Sequence, residues 1–242
     1  MMKIALLLHG HLRSFKKTYP SLEYFVGFNN FDIFIHTWDN VERETESYYE
    51  SNLKENYKVD EQEIINLYKP KKILIEEQIV NQDLLNSKFK WQFDGLKFFF
   101  ESFYKANKLK KQFEEENNFT YDVVIKFRPD IYLRKSFDVT NLNMELCNVC
   151  GNKIKEINED ENNIVYLENN INYLLNFKAL DCFLITNSII MNKIAEFYEE
   201  YENFKPKIIY NIPFITYILQ KNIKIKILDY YYNNDWALLR IS

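Results

Sequence analysis

Short apolar runs alternate with amphipathic or polar stretches along the first half of the chain. The run Ile4 to Leu8 is closed by Gly10 and predicts a buried strand. Phe31–Trp38 and Lys71–Glu77 are rich in β-branched and aromatic residues, which predicts two further strands. Ser21 follows a proline and predicts the start of a helix before the second strand. A short helical pattern separates the second strand from the third.

A long amphipathic segment follows the third strand. Its apolar residues recur near helical spacing from about Asp83 or Trp91 to Glu116. The next apolar run, Tyr121–Phe127, predicts a fourth strand. Strands that alternate with helices are typical of a parallel sheet flanked by helices. The pattern therefore predicts an α/β fold with a mostly parallel central sheet.

The second half of the chain mixes shorter elements. Asp138–Asn163 is polar and is expected to be the least regular part. Asp181–Asn187 and Ile223–Leu228 predict strands, whereas Ile189–Tyr201 and Ile212–Gln220 predict helices. The sequence has no internal repeat and no Gly/Ser-rich linker, so we expect a single domain.

The composition is that of a folded globular chain. Of the 242 residues, 47% are hydrophobic, which is enough to bury a sizeable core. The 31 basic and 35 acidic side chains are interspersed, so no basic face argues for nucleic-acid binding. The first apolar run is too short for a signal peptide, and no run approaches the length that spans a bilayer. We therefore expect a soluble, cytoplasmic protein.

Three cysteines, Cys147, Cys150 and Cys182, fit a reducing compartment, because their number is odd and their spacing shows no disulfide framework. Cys147 and Cys150 form a CxxC, which can be half of a zinc knuckle or a redox pair. The histidines all lie in the first part of the chain, so a zinc site needs a distant partner. We interpret these residues as incidental loop cysteines, with metal or redox use as the alternative.

Polar side chains follow three of the predicted parallel strands. They lie in the segments His9 to Ser14, His36 to Asp39 and Lys126 to Asp130. The carboxyl ends of parallel strands meet at one edge of a sheet, which is where such sheets bind ligands. Each segment is a weak signal alone. Their clustering, which collects all three histidines, predicts a functional site at this edge.

The first two segments each have two interpretations. A lone Gly10 argues against a dinucleotide fingerprint, yet it permits close backbone approach while Arg13 supplies a fork for an anionic group. The alternative is a tight turn with exposed polar residues. Trp38 is suited to stacking on a base or sugar, with His36 beside it. Alternatively, Trp38 belongs to the core and His36 caps the strand end.

The third segment has a more specific logic. Lys126, Arg128 and Asp130 are spaced two residues apart, so they face one side of an extended chain. Arg128 is suited to neutralising phosphate oxygens. Asp130 is suited to binding a divalent cation that in turn holds a diphosphate. The alternative is an internal Arg–Asp pair that pins the strand end.

Three segments resemble, in this order, a family of bacterial surface-polysaccharide glycosyltransferases: KIALLLHGHLRSF, FDIFIHTWD and YDVVIKFRPDIYL. These are GT-A-like enzymes of capsule and lipopolysaccharide synthesis, with the patterns G-x-x-R, D-I-F-x-H-T-W and Y-D-x-V-I-x-x-R-x-D. The resemblance implies a GT-A-like, Rossmann-like sheet. It also implies a nucleotide-binding half at residues 1–135 and an acceptor-side half at residues 136–242, where the match is looser.

The loops and the resemblance together assign roles to individual residues. The predicted nucleotide- or diphosphate-binding residues are Gly10, His11, Arg13, Asp32, His36, Trp38, Lys126, Arg128 and Gln92. The predicted catalytic residues are Asp130, which also binds the metal, and Asp181, which acts as a general base on the acceptor side. Arg128 stands where GT-A enzymes keep the first Asp of their Asp-x-Asp motif. That departure leaves a dependence on Mn²⁺ or Mg²⁺ open.

The implied activity is sugar transfer from a nucleotide-diphosphate sugar to a cell-surface glycan in capsule or lipopolysaccharide synthesis. The implied acceptor is a glycan or lipid-linked glycan, and peripheral association with the inner face of the membrane stays open. One alternative is another sugar-modifying transferase with a nucleotide-linked donor, of phosphoryl or phosphoramidate type. The other is a non-catalytic carbohydrate-binding protein, which nucleotides would not stabilise.

Overall fold

The structure, a computed structural model of the chain, describes residues 2–26, 31–41, 57–79, 90–136, 138–151, 164–165, 183–201, 212–231 and 235–238. The helices in these ranges are α1 Phe15–Val26, α2 Glu61–Tyr68, α3 Lys90–Asn117, α4 Ser188–Ala195, α5 Phe197–Glu200 and α6 Ile212–Gln220. The strands are β1 Ile4–His9, β2 Phe31–Trp38, β3 Lys72–Glu76, β4 Val123–Phe127, β5 Ile131–Leu133, β6 Cys147–Gly151, β7 Ile164–Val165, β8 Phe183–Thr186, β9 Ile225–Tyr231 and β10 Trp236–Leu238.

One sheet of eight described strands organises the fold, in the order β3-β2-β1-β4-β8-β6-β9-β7. The first four strands of this order run parallel to one another. β8 runs antiparallel to both β4 and β6, whereas β6 and β9 are parallel. β5 and β10 form a separate antiparallel pair. The predicted α/β class, with a mostly parallel central sheet flanked by helices, is confirmed.

The side chains of β1 alternate between two hydrophobic cores. Leu6 and Leu8 share one core with Phe15 of α1 and with residues of α2. Leu7 belongs to the other core, together with Phe103 of α3. All six residues of β1 are buried, because helices cover both faces of the parallel sheet. Burial on both faces explains why the first five residues of β1, Ile4 to Leu8, are all apolar.

Helix α3 is the longest element described. Its 28 residues span about 42 Å, and it packs against β1, β2 and β3 as well as α4 and α5. Asn118 follows it with a φ of 53°, a left-handed conformation common after a helix end. The observed range, Lys90–Asn117, agrees with the predicted long helix. Among the described residues, no helix combines the length and apolar character needed to cross a bilayer.

Helix α1 begins at Phe15, ahead of the predicted start at Ser21, so that prediction was wrong. Pro20 lies inside the helix. Proline is enriched at helix starts because it lacks an N–H donor, and this is why the sequence pointed to the wrong residue. The earlier start brings the turn after β1 directly to the beginning of α1.

The segment expected to be least regular contains β6, which lies between β8 and β9 in the sheet. Cys147 and Cys150 are therefore buried strand residues, and their assignment to a loop was wrong. They belong to different cores on opposite faces of the sheet, so they do not form one metal site. Burial raises the pKa of the Cys147 thiol. Cys182 lies outside the described residues.

Candidate functional site

Strands β1, β2 and β4 end side by side, and we call this side of the sheet the carboxyl edge. The register pairs His9 with His36 between β1 and β2, and Leu8 with Phe127 between β1 and β4. The polar segments that follow these strands therefore lie together, as the sequence predicted.

Two arginines hold Asp130 at the carboxyl edge. Arg128 donates from Nε to Asp130 Oδ1 at 2.9 Å and from Nη2 to Oδ2 at 2.6 Å. Arg13 comes from the turn after β1 and donates from Nη1 to Oδ2 at 2.8 Å. The Asp130 side chain is 1% exposed, and those of Arg13 and Arg128 are 9% and 10% exposed. Both guanidinium groups and the carboxylate are thus largely removed from water.

Lys126 adds a third cation on the face of β4 that packs against α3. Its Nζ lies 4.8 Å from the ring centroid of Phe99 and 5.4 Å from that of Phe103. The guanidinium carbon of Arg128 lies 6.0 Å from the Phe99 centroid. The faces of these rings offset part of the cost of burying the cations. We call the three cations and their carboxylate the cationic cluster: Arg13, Lys126, Arg128 and Asp130.

Backbone contacts fix the turns that carry the cationic cluster. The hydroxyl of Thr18 in α1 donates to the carbonyl oxygen of Pro129. The N–H of Arg13 donates to the carbonyl oxygen of Val41 at 2.9 Å. Arg13 has a φ of 47°, which is uncommon for a residue other than glycine and is frequent at functional sites. Gly10 has a φ of 94°, and this conformation, not lack of space, is what disfavours a side chain there.

A buried hydrogen-bond relay ties the turn at Gly10 to α3. The N–H of Gly10 donates to Ser102 Oγ at 2.7 Å, and Ser102 Oγ lies 2.7 Å from His36 Nδ1. His36 Nε2 lies 2.8 Å from Glu76 Oε2. Burial lowers the pKa of His36 to about 4. Near neutral pH the imidazole is therefore uncharged, with Nε2–H donating to Glu76 and Nδ1 accepting from Ser102.

Trp38 lies in the core beside this relay. It is 3% exposed and packs edge-to-face on His36 and on Phe98, at centroid distances of 5.0 and 5.7 Å. Lys105 Nζ lies 5.5 Å from the Trp38 ring and pairs with Glu76 at 2.6 Å. With both sides packed, the indole is not open to stacking on a base or sugar. The structure therefore places Trp38 as the core interpretation requires.

Asp32 does not reach the carboxyl edge. It lies at the amino end of β2, level with Ala5, and Trp38 is six residues further on, about 20 Å along the strand. Its Oδ2 accepts a hydrogen bond from the Tyr121 hydroxyl at 2.6 Å, and Lys71 Nζ lies 3.4 Å from Oδ1. The predicted nucleotide-binding role of Asp32 is therefore corrected: its contacts tie β2 to the start of β4.

Of three further predicted site residues, the structure describes the side chain of one. His11 is at the carboxyl edge, with Nδ1 3.0 Å from the Asn40 carbonyl oxygen and Nε2 3.1 Å from Gln78 Oε1. Gln92 lies on α3, but its side chain is outside the described residues. Asp181 is also outside them. The roles of Gln92 and Asp181 stay predictions.

The residues around Asp130 do not fit the predicted divalent cation. Both oxygens of Asp130 already accept hydrogen bonds from guanidinium groups, which would repel a second cation. Within the described ranges, no group of three or more His, Cys, Asp and Glu side chains is placed to hold a metal ion. Mn²⁺ or Mg²⁺ at Asp130 stays a prediction, and no chemical step below depends on it.

Sequence reasoning placed His9 at this edge without giving it a role, and it did not name Ser102 or Glu76. His9 is the polar last residue of the otherwise apolar strand β1, and that position was the available sign of a role in the site. Ser102 is a small polar residue within the aromatic run FFFESFY of α3, and its partners lie 66 or more residues away. Glu76 is the last residue of β3, the strand beside β2, so its place in the sheet was the available signal.

Comparisons with known proteins give a family and several distant structures. The model of a family described as "Domain of unknown function (DUF7796)" matches residues 1–160. No curated protein matches the chain.

Three solved structures that match the chain have low sequence identity to it. One is the nucleoside-diphosphate-sugar pyrophosphorylase from Vibrio cholerae RC9, with 11% identity, coverage of 98% of this chain and 96% of that one, and a TM-score of 0.46. Another is a glycosyltransferase involved in the glycosylation of the major capsid of PBCV-1, with 9% identity, coverage of 97% and 92%, and a TM-score of 0.43. The inositol-1-phosphate CTP transferase from T. maritima has 12% identity, coverage of 99% and 90%, and a TM-score of 0.40.

Proposed function

The chain belongs to the DUF7796 family, whose description states no activity, and we propose that it is a nucleotide-sugar-dependent glycosyltransferase. The donor is a nucleotide-diphosphate sugar, and the acceptor is a cell-surface glycan. The observation that carries the proposal is the cationic cluster at the carboxyl edge, where parallel sheets bind their ligands.

The chemistry of the cationic cluster suits a diphosphate. Each guanidinium group has five N–H donors in a planar fork that matches phosphate oxygens. Arg128 contacts Asp130 through Nε and Nη2, and Arg13 contacts it through Nη1. Burial strengthens each of these interactions, because a dry site screens charge poorly. Asp130 serves here as the residue that orients both arginines.

The alternative, an internal Arg–Asp pair that pins the strand end, accounts for Asp130 and one arginine. Within the cationic cluster, Asp130 contributes one negative charge, whereas Arg13, Lys126 and Arg128 contribute three cationic side chains. Burying charges is costly, and a purely structural pair could be replaced by apolar residues with little loss of stability. A site that must neutralise a diphosphate explains why three cations lie together at this edge.

The proposed mechanism uses the residues of this chain. As the glycosidic bond to the donor breaks, negative charge develops on the leaving nucleoside diphosphate, and Arg13, Lys126 and Arg128 stabilise it. A carboxylate near the acceptor takes the proton of the attacking hydroxyl. Asp181 is the proposed base. It precedes β8 by two residues, and β8 begins at Phe183, which pairs with Phe127 at the carboxyl edge.

The biological setting rests on the resemblance of the first 135 residues. We assign the chain to capsule or lipopolysaccharide synthesis in the cytoplasm, with a glycan or lipid-linked glycan as acceptor. Peripheral contact with the inner face of the membrane would follow from a lipid-linked acceptor. Residues 1–135 form the nucleotide side of the proposed single domain, and residues 136–242 form the acceptor side.

A thermal-shift panel tests the proposal. The wild-type protein is heated with UDP, GDP, CMP and their sugar conjugates, with and without Mn²⁺. At about 100 times its dissociation constant, a ligand adds about 2.7 kcal/mol to the free energy of unfolding. We expect one nucleotide and its sugar conjugate to raise the midpoint without Mn²⁺. Stabilisation by a nucleotide but by none of its sugar conjugates would support another transferase class. The absence of any shift would support a non-catalytic protein.

A further inference from the structure

His9 is the last residue of β1 and is buried at the carboxyl edge. Its ring lies against two rings of α3, with centroid distances of 4.7 Å to Phe99 and 5.4 Å to Phe103. It is 0% exposed. Neither of its ring nitrogens has a hydrogen-bond partner in the part of the chain that the structure describes.

A buried imidazole without partners is unusual. Every tautomer of histidine has at least one N–H donor, and leaving it unsatisfied in a dry site destabilises the fold. The neighbouring His36 shows the ordinary solution, because Ser102 and Glu76 satisfy both of its ring nitrogens. His9 is therefore in the position of a donor whose acceptor comes with a ligand.

The surroundings of His9 identify the ligand as an anion. His9 and Lys126 contact the same two aromatic rings, Phe99 and Phe103. Burial lowers the pKa of His9 well below its ordinary value, and the charges of Lys126 and Arg128 lower it further, as does His36 when it is protonated, while Asp130 opposes them. α3 presents uncharged rings to His9. An oxyanion bound there would accept from His9 and from the two cations together.

We propose that His9 is a binding residue for a tetrahedral oxyanion held by Lys126 and Arg128, and that it takes up a proton from solvent when this anion binds. The proposal deepens the proposed function and rests on the same site, where the oxyanion would be a phosphate group of the nucleotide sugar.

Anion binding and protonation of His9 should favour each other. A bound anion offsets the repulsion from Lys126 and Arg128 and accepts a hydrogen bond, so the pKa of His9 is higher in the complex than in the free protein. Between the two pKa values the complex holds one more proton than the free protein. Anion affinity therefore falls as the pH rises through that window, by up to about tenfold per pH unit.

Proton NMR of the histidine ring hydrogens tests this proposal directly. The chain has 3 histidines, so the signals are few, and the signal missing from a His9→Gln variant identifies His9. The probe is sodium sulfate, because sulfate does not titrate near neutral pH, and sodium chloride at equal ionic strength is the control. We expect sulfate to raise the His9 titration midpoint by about one pH unit or more. An unchanged midpoint overturns the proposal, whether or not nucleotides bind.

Two substitutions separate binding from structure. His9→Leu is similar in size and apolar, so it should keep or raise the thermal stability of the free protein and lower sulfate affinity about tenfold or more at pH 6. His9→Gln keeps a neutral donor, so it should bind sulfate with an affinity that no longer changes with pH. If His9→Gln retains the pH dependence of the wild type, His9 is not the proton-linked group and the proposal is wrong.

Discussion

Two buried lysines in this protein have very different surroundings. Lys110 lies in the last third of α3 and is fully buried. Its Nζ pairs with Glu114 at 3.1 Å and donates to Asn192 Oδ1 at 3.1 Å and to the Ser188 hydroxyl. One cation thus meets one carboxylate and two neutral acceptors, all from the protein. Burial lowers the pKa of Lys110 to about 8, so its charge can be lost at modest cost.

Lys126 is equally buried, but it lies at the carboxyl edge beside two arginines. Guanidinium groups cannot shed their protons in a protein. The charges of Arg13 and Arg128 are therefore permanent, whereas that of Lys110 can be lost as the pH rises. Under the proposed function, Lys110 stabilises a helix contact, whereas the cationic cluster binds an anion. The predictions below test this contrast.

Removal of the carboxylate should affect the two regions unequally. Asp130→Asn leaves two fixed guanidinium charges near each other and should lower the free energy of unfolding by about 3–5 kcal/mol. Glu114→Gln should lower it by less, about 1–3 kcal/mol, because Lys110 can lose its proton. Urea unfolding at pH 7 measures both changes. Equal losses, or no recovery of Asp130→Asn when sodium sulfate is added, would contradict the contrast.

The titration of Lys110 should make the free energy of unfolding depend on pH. Its pKa is about 8 in the folded protein, against about 10.4 unfolded, so the unfolded chain holds more protons between these values. Stability should therefore rise with pH across this window, by on the order of 3 kcal/mol for this group alone. Urea midpoints of wild type and Lys110→Met, compared from pH 7.5 to 9.5, measure it. The variant should lack this rise, and parallel curves would show that Lys110 does not titrate there.

The fork of Arg128 should matter beyond its charge. Arg128→Lys keeps the cation but loses the bidentate geometry, so affinity for the nucleotide found in the thermal-shift panel should fall about 10- to 100-fold. Calorimetric titration measures the change. Lys221→Gln is the matched control, because Lys221 forms an exposed pair with Glu200 and should leave binding unaltered. A normal affinity for Arg128→Lys would show that Arg128 serves only Asp130.

The relay through Ser102 should give the smallest effect. Ser102→Ala removes the hydrogen bonds to Gly10 and His36 and should lower the free energy of unfolding by about 1–2 kcal/mol. Because the turn at Gly10 then loses its anchor, nucleotide affinity should fall a few-fold as well. Thermal unfolding and calorimetry of the same sample separate the two effects. A stability loss without any change in affinity would confine the relay to a structural role.

The carboxyl edge could be predicted from the sequence because it depends on two local features, the apolar strands and the residues that directly follow them. Apolar runs locate the parallel strands, and the residue after each strand must lie at the same edge. This was sufficient to bring Arg13, Arg128 and Asp130 together. The start of α1 was predicted wrongly because proline marks many helix starts, yet Pro20 lies inside this helix. β6 was not predicted because it is a short strand within a segment that is polar overall.

Other parts of the site could not be predicted, because they depend on contacts between distant segments. Ser102 acts through a hydroxyl that meets β1 and β2 only after α3 packs on the sheet. Asp32 was placed at the nucleotide by a resemblance of motifs, although its own strand carries it to the opposite edge. The engagement of Asp130 by two arginines, which bears on the metal question, also required the folded structure.

The most direct test of the proposed function replaces each of the two buried lysines by methionine. Lys126→Met and Lys110→Met remove one buried charge each, and calorimetry then measures nucleotide affinity at equal salt. The proposed function predicts that Lys126→Met lowers nucleotide affinity by about tenfold or more, while Lys110→Met binds as the wild type does. Equal affinities for the two variants, or a wild-type protein that binds no nucleotide, would contradict it.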